Sequence, residues 1–463
     1  METAMQSAAA PQAPFGFPQL ISLAWPVVLA RATQSVIGFC DALMVAPLGE
    51  EPLAAVTTGA LNTFAFIILP MGTVFIVQSF AAQLRGRGEL SSVKRYALYG
   101  LVLALLAGLV ALLCIPFIPS LLGGLGYAPR VHALMAEYLM IRLLSVLPAV
   151  GIEALGNWYG GLGNTRPAMV AGIVAMVINV FGCYALIEPR FGLPGYGVAG
   201  SAWASVIASW LGFTYILINF VRGKGYEPLP SSLRLRKDEL LRTLRFGLPN
   251  GVNWFLEFAS FALFINLVVG HLGTQVLAAF NVVIQINSIS FMPAFGLASA
   301  GAIMVGEAIG QKAYDRVWPI VRLTAKTTGG FMGSVGLCYL FFSTELMALF
   351  ADHTDSAGEL ARIGAGMLAF SAVWQVFDAM GLTFGEALRA AGDTTWCMFA
   401  RIVLGWFVFT PLAWVLVRVY AHGVPGLLAS MVTYMALLAA LLCLRFWGGR
   451  WRSIDLVGEP AVV

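Results

Sequence analysis

Four acidic residues, Asp41, Glu153, Glu257 and Asp378, stand deep inside long apolar segments. A charged side chain at the centre of a bilayer costs about 2.5–3.5 kcal/mol on insertion scales, so each of these residues needs a reason. Paired carboxyl groups in such surroundings suit one task in particular. Desolvation and mutual repulsion favour their neutral or ion-bound forms, so a proton or a sodium ion binds near neutral pH. Glu257 lies 12 residues beyond Arg245, and Asp378 lies 11 residues before Arg389. Along a helix rising about 1.5 Å per residue, those offsets are about 18 and 16 Å. The two acids are therefore expected at similar depth, facing one cavity. Asn253 and Gln285 are polar residues expected near that cation site. Trp254, Phe255 and Phe258 beside Glu257, with Trp374 and Phe377 beside Asp378, are candidate cavity walls, because aromatic faces attract organic cations. The same aromatics also suit ordinary packing against lipid or core.

Composition dictates the elements that hold these residues. The 463-residue chain is 59% hydrophobic and 11% charged, with a mean hydropathy of +0.83. Soluble domains carry about 25% charge, so this chain belongs in a bilayer. Segments 52–84, 96–129, 191–221 and 272–306 contain no Asp, Glu, Lys or Arg. Each exceeds the roughly 20 residues that cross about 30 Å of hydrocarbon. Segment 101–115 is apolar throughout, which fits a helix and not an alternating barrel strand. Twelve spans are expected, near 17–43, 52–83, 95–119, 132–158, 166–187, 197–221, 241–270, 276–308, 319–343, 360–387, 395–418 and 425–446.

Basic residues concentrate in alternate loops. Arg85, Arg87, Lys94 and Arg95 follow the second span, and Arg222, Lys224, Arg234, Arg236, Lys237, Arg242 and Arg245 follow the sixth. Under the positive-inside rule both termini are expected in the cytoplasm. The first 16 residues lack a basic start and an apolar core, so no cleavable signal peptide is expected. The expected division is a cytoplasmic tail at 1–16, a six-helix lobe at 17–221, a basic linker at 222–240, a second lobe at 241–446 and a tail at 447–463. The halves repeat. Leu48-Gly49-Glu50-Glu51-Pro52-Leu53-Ala54-Ala55 echoes Leu272-Gly273-Thr274-Gln275-Val276-Leu277-Ala278-Ala279. Pro26 answers Pro249, Pro70 answers Pro293, and Gly86 answers Gly310. Gly163-Asn164-Thr165 matches Gly392-Asp393-Thr394, and Gly197-Val198-Ala199-Gly200 matches Gly423-Val424-Pro425-Gly426. Two even-numbered halves share a membrane orientation, so the pseudo-twofold axis runs along the membrane normal, a transporter architecture with sites at the repeat interface. The four prolines permit kinks and are candidate hinges.

These landmarks resemble the multidrug and toxic compound extrusion (MATE) family of secondary exporters. The resemblance rests on Trp25-Pro26 with Asp41, the Leu-Gly-x-x-x-Leu-Ala-Ala run and Phe291-Met292-Pro293. Val305-Gly306-Glu307-Ala308-Ile309-Gly310 and Leu388-Arg389-Ala390-Ala391-Gly392-Asp393-Thr394 complete the set. It implies an all-α membrane fold of about twelve helices, in two six-helix bundles around a central cavity. It also implies export of amphipathic, often cationic, organic compounds by antiport with sodium ions or protons. Members of the best-known bacterial branch carry a Glu and an Asp on the helices of Glu257 and Asp378. Asp41 and Asn179 match a cation-linked position of the first lobe, but Cys183 stands where some members have a second aspartate. Trp374 likewise stands where some sodium-coupled members have a tyrosine.

Other classes fit less well. Glu153 is expected to be structural, paired with Arg142. The six cysteines show no Cys-x-x-Cys spacing and the four histidines no ligand spacing, so no metal site is expected. No phosphate-binding Gly-x-x-x-x-Gly-Lys-[Ser/Thr] loop occurs, so ATP is not the expected energy source and no cofactor is called for. A net charge of +4 is too small and dispersed for nucleic acid. A lipid-linked saccharide flippase of the same superfamily is the runner-up, but it would carry more spans and a basic cavity. An integral-membrane enzyme would need a nucleophile or histidine cluster at one face, and the sequence offers none. The expected setting is a bacterial-type inner membrane, with the chain acting as a monomer.

Overall fold

Segments this apolar have one stable arrangement in lipid, a bundle of helices that satisfy their own backbones. A computed structural model of the chain has that form and describes residues 15–124, 126–226, 235–351, 357–420 and 423–458. Among these, helical rods α1 (Phe17–Leu48), α2 (Glu50–Arg87), α3 (Leu90–Gly123), α4 (Pro129–Gly161), α5 (Arg166–Leu186) and α6 (Gly197–Val221) form the first lobe. Rods α7 (Lys237–Leu272), α8 (Thr274–Gly310), α9 (Tyr314–Phe341), α10 (Gly358–Ala391), α11 (Thr394–Val419) and α12 (Gly423–Trp447) form the second. Eleven are long and apolar enough to cross a membrane. The exception, α9, carries Arg322 and Lys326 and is rich in Thr and Gly, yet its 28 residues still reach about 42 Å. The outermost tail residues, positions 227–234 of the 222–240 linker, His353 and His422 lie outside the described residues.

Small residues face inward and large ones face lipid. On α3, Gly100, Ala104, Gly108 and Ala111 are buried, and Cβ atoms added at Gly100 and Gly108 would meet Ala154 and Leu147 of α4. Leu105, Leu109, Leu112 and Leu113 of the same helix are exposed. Close backbone approach through small residues drives helix association where lipid is as apolar as leucine.

The repeated motifs are repeated geometry. Gly49 and Gly273 precede α2 and α8 with φ of 111° and 101°, and Gly163 and Gly392 take φ of 80° and 92°. These left-handed values favour glycine. Thr165 donates its hydroxyl to the Leu23 carbonyl at 3.0 Å, and Thr394 donates to Phe246 at 2.7 Å. Leu23 and Phe246 are themselves 223 positions apart, so each half closes with the same bond. Gly86 and Gly310 meet across the axis, where a Cβ on either would strike the partner helix at Glu307 or Gln83.

The lobes join along the half nearer the chain termini, where Val74 to Leu84 and Ala298 to Gly306 are buried throughout. Asn250 donates to the Gly72 carbonyl at 2.7 Å, Gln83 to Ala390 at 2.7 Å and Gln78 to Ser299 at 3.1 Å. Arg389, expected in a loop, is instead buried in this seam. It is ion-paired to Glu386, donates to Gln78 Oε1 at 2.7 Å and lies 4.2 Å above the Phe75 ring. Arg95 and Tyr99 of α3 bind Glu239 at the start of α7, at 2.6 and 2.7 Å. Every inter-lobe hydrogen bond among the described residues belongs to this half. Toward the other face, α1, α2 and α8 leave Val36, Leu61, Phe64 and Ile289 exposed.

The segment after α12 closes the seam. Trp451 is buried in the core of the second lobe, while Leu456 is buried in that of the first. Asp455 pairs with Arg87 at 3.1 Å, and Arg87 also donates to the Gly458 carbonyl at 2.5 Å. A chain ending at Gly449 is expected to lose about 1.5–3 kcal/mol for each of these two side chains. Thermal unfolding in one detergent should read this as a lower midpoint; an unchanged midpoint would show that the strap holds nothing.

Candidate functional site

Two polar centres lie within the bundle, one in each lobe. In the first lobe, α1 carries Arg31 and Asp41, α4 carries Glu153, and α5 and α6 add Asn179, Cys183 and Ser205. The Glu153 carboxylate is held by Arg31 Nη2 at 2.5 Å and Nη1 at 3.1 Å, and by Asn157 at 2.8 Å. Arg142 is therefore not its partner. It precedes Glu153 by 11 residues on α4, about 16 Å along the axis. The Arg31 guanidinium also lies 5.4 Å from the Phe295 ring of α8, so it touches the second lobe.

Asp41 makes no ion pair among the described residues. Its carboxylate accepts from the Cys183 thiol and the Ser205 hydroxyl, both at 3.1 Å, and Asn179 donates to Ser205 at 2.9 Å. All four side chains are buried. Asn179 Oδ1, the Tyr138 hydroxyl and Ser201 Oγ are buried nearby with no hydrogen-bond partner among the described residues. Unsatisfied polar atoms in a dry interior are rare, and oxygen atoms around a carboxylate suit a small cation. A cavity of about 1370 Å³, part of it open to solvent, fills this lobe. Arg31, Gln34, Phe64, Met71, Phe75 and Arg142 are among its walls. The aromatics expected from the sequence lie in the second lobe, whereas this wall belongs to the first, where Phe64 and Phe75 sit on the same charge-free segment as Pro70.

In the second lobe, α7, α10, α11 and α12 bring together Glu257, Asp378, Arg401 and Tyr434. Arg401 Nη1 donates to both oxygens of Glu257, at 3.0 and 3.1 Å. Asp378 lies in electrostatic range of both, and Tyr434 of all three. The Glu257 side chain stays 41% exposed while that of Arg401 is 18% exposed. In the sequence Arg401 stands out only as a base inside the 395–418 span. The one signal for it was that position, since a lone base in hydrocarbon needs an acid.

The remaining candidates are scattered. Asn253 is buried, and its Oδ1 has no partner. Gln285 is exposed and forms no side-chain hydrogen bond among the described residues, so it does not join the cation cluster. The polar tie between α8 and α10 runs instead through Asn287 and Gln375, at 2.7 Å. Two positions turn a helix by about 200°, onto the opposite face. Trp254 packs on Phe75 with ring centres 5.1 Å apart, and Phe258 meets Phe64 at 5.7 Å, so both line the seam between lobes. Trp374 is buried in the second lobe's core, whereas Phe377 and Phe255 are half-buried. Pro26, Pro70, Pro249 and Pro293 all lie inside helices, and Pro70 stands five residues before α2 breaks at Phe75.

The MatE family model matches residues 26–185 and 249–415, one block in each lobe. The chain belongs to the MatE family. A probable multidrug resistance protein NorM of Synechocystis sp. is 28% identical over 435 residues, covering 90% of this chain and 93% of that protein. Another, from Rhizobium meliloti, is 28% identical over 439 residues and covers 94% of each. The outward-facing structure of a multidrug resistance MATE family transporter of the MOP superfamily superposes with a TM-score of 0.86. It is 21% identical and covers 96% of this chain and 98% of that one. The fold expected from the sequence, two six-helix lobes in a multi-pass membrane protein, is the MatE fold. Its family is one of transporters.

Within this MatE chain, the Arg31–Glu153 pair can be separated from the ion chemistry by stability. Removing one partner of a buried pair costs about 3–5 kcal/mol because the other charge is stranded. Arg31→Met alone should therefore lower the unfolding midpoint more than the double variant Arg31→Met/Glu153→Met. A double-variant loss equal to the sum of the losses of Arg31→Met and Glu153→Met would show that the pair is not coupled.

Proposed function

We propose that this protein exports amphipathic, often cationic, organic compounds by antiport with sodium ions or protons, as its relatives' multidrug names suggest. The observation that carries this reading is the second-lobe cluster, two acids at mid-span beside a single guanidinium. An acid without a full counter-charge in hydrocarbon retains affinity for a cation. The basic loops assign the terminal face to the cytoplasm, which makes the joined half of the seam the inner gate. The described conformation is then outward-facing.

In the cycle, a cation from outside loads Asp378 and Glu257 and removes the negative charge that attracts a cationic cargo. Cargo leaves to the exterior. The lobes then rock about their shared α1–α8 and α2–α7 contacts, the inner gate opens, and the cation is released to the cytoplasm as new cargo binds. Pro26, Pro249, Pro70 and Pro293 are placed in those four rods, where missing backbone hydrogen bonds permit bending. Asp41 is the corresponding cation-linked acid of the first lobe. Asn253 lies four residues before Glu257, one turn closer to the inner gate. Membrane potential adds about 2.3 kcal/mol per elementary charge per 100 mV. A bacterial inner membrane supplies that potential, and one chain holds both lobes, so a monomer suffices.

Asp378→Asn and Glu257→Gln remove charge at nearly constant volume. Each is expected to abolish energised ethidium efflux from cells lacking their own pumps, with normal amounts of folded protein in the membrane. Full efflux by both variants would overturn the assignment.

A further inference from the structure

The second-lobe acids carry a fixed cation of their own, and three helices build its seat. Arg401 Nη1 binds both oxygens of Glu257. Its Nη2 is turned toward α10, where a Cβ added at Gly385 would come within 3.1 Å of it. Glycine at that position is what leaves room for the guanidinium. Two residues later α11 passes into a π-helical stretch, Val403–Phe409, and such turns often mark functional sites. Trp406, on that stretch, donates to the Leu256 carbonyl at 3.3 Å, beside Glu257. The charged and titratable groups facing Arg401 are Glu257 from α7, Asp378 and Glu386 from α10, Cys397 from its own helix and Tyr434 from α12. Glu386 is already paired with Arg389 in the seam. Asp378 forms no hydrogen bond or ion pair among the described residues.

We propose that Arg401 sets the ion selectivity of this site: by holding the Glu257 carboxylate it leaves Asp378 to take a proton and prevents the two acids from caging a sodium ion. This rests on the reading of the cluster as the coupling site. A hard metal cation needs several oxygen ligands converging on one point. Here two of the four carboxylate oxygens are engaged by a group that stays protonated, and its charge repels a metal ion at short range. A proton needs one oxygen and no cage. With both acids ionised the cluster carries one net negative charge, so one proton neutralises it. The step is a simple transfer, in which the Asp378 carboxylate gains a proton from the outer side and later loses it to the cytoplasm.

The test uses the full chain in proteoliposomes preloaded with ethidium. Efflux is driven either by a pH gradient without sodium or by a sodium gradient at equal pH. Radioactive sodium binding to the detergent-purified protein is measured beside it. Wild type is expected to respond to the pH gradient alone and to show no saturable sodium binding. Arg401→Gln is expected to gain saturable sodium binding, which a further Asp378→Asn removes. If Arg401→Gln fails to fold, Arg401→Lys replaces the fork with a compact ammonium and is expected to bind sodium no better than wild type. Sodium-driven efflux by wild type, or sodium binding equal in wild type and Arg401→Gln, would overturn the role of Arg401 and leave antiport standing. Efflux under neither gradient would overturn antiport itself, and this inference with it.

Discussion

Charge in hydrocarbon is tolerated when it is matched, and that single constraint orders the polar interior of this protein. Arginine matches Glu153 (Arg31), Glu386 (Arg389) and Glu257 (Arg401) within the bundle, and Glu239 (Arg95), Asp393 (Arg445) and Glu307 (Arg85) nearer its end. Asp41 and Asp378 are not matched in this way. Asp41 is held only by a thiol and a hydroxyl, and Asp378 by no hydrogen bond among the described residues. Each polar centre thus contains one acid without a bonded counter-charge among the described residues, with an arginine acting on it through space: Arg142 for Asp41 and Arg401 for Asp378. A matched acid already has a counter-charge and gains less from a further cation. Unmatched acids have the most to gain from binding a cation, and the proposed chemistry is assigned to them on that ground.

The duplicated frame and the unduplicated charges have different origins. Glycines with matching left-handed φ, the paired threonine bonds to Leu23 and Phe246, and the Gly86–Gly310 crossing all obey the pseudo-twofold. They fix where helices begin and how closely they cross. The ion pairs do not obey it. At the offset of 223 that relates Pro26 to Pro249, Gln34 answers Glu257 and Trp254 answers Arg31. The backbone plan is shared, while the polar centres of the two lobes have been filled differently.

Much of this was legible in the sequence, and what was not has a common cause. Twelve rods follow from runs of apolar residues, and the halves follow from Gly, Pro and Thr at fixed offset, because those residues specify local backbone geometry. Mid-span acids announce themselves by their cost. Partners do not, because they depend on the rotation and separation of neighbouring helices. Arg142 looked like the partner of Glu153 on one helix, but the true partner stands on α1. Arg389 read as a loop base, yet α10 extends to Ala391 and carries it into the seam. Gln285 had suitable chemistry on a face that turns away from the cluster. The strap from Arg450 to Gly458 read as a plain tail, since only the meeting of two lobes creates the clefts that Trp451 and Leu456 fill.

In the proposed cycle an inorganic cation and an organic cargo compete for the same unmatched charge. Equilibrium binding of ethidium to the purified protein, followed as proton and sodium concentrations are varied separately, tests it most directly. Competition should raise the apparent Kd in proportion to the concentration of the coupling ion, and Asp378→Asn should abolish that dependence. Ethidium affinity indifferent to both ions would contradict it.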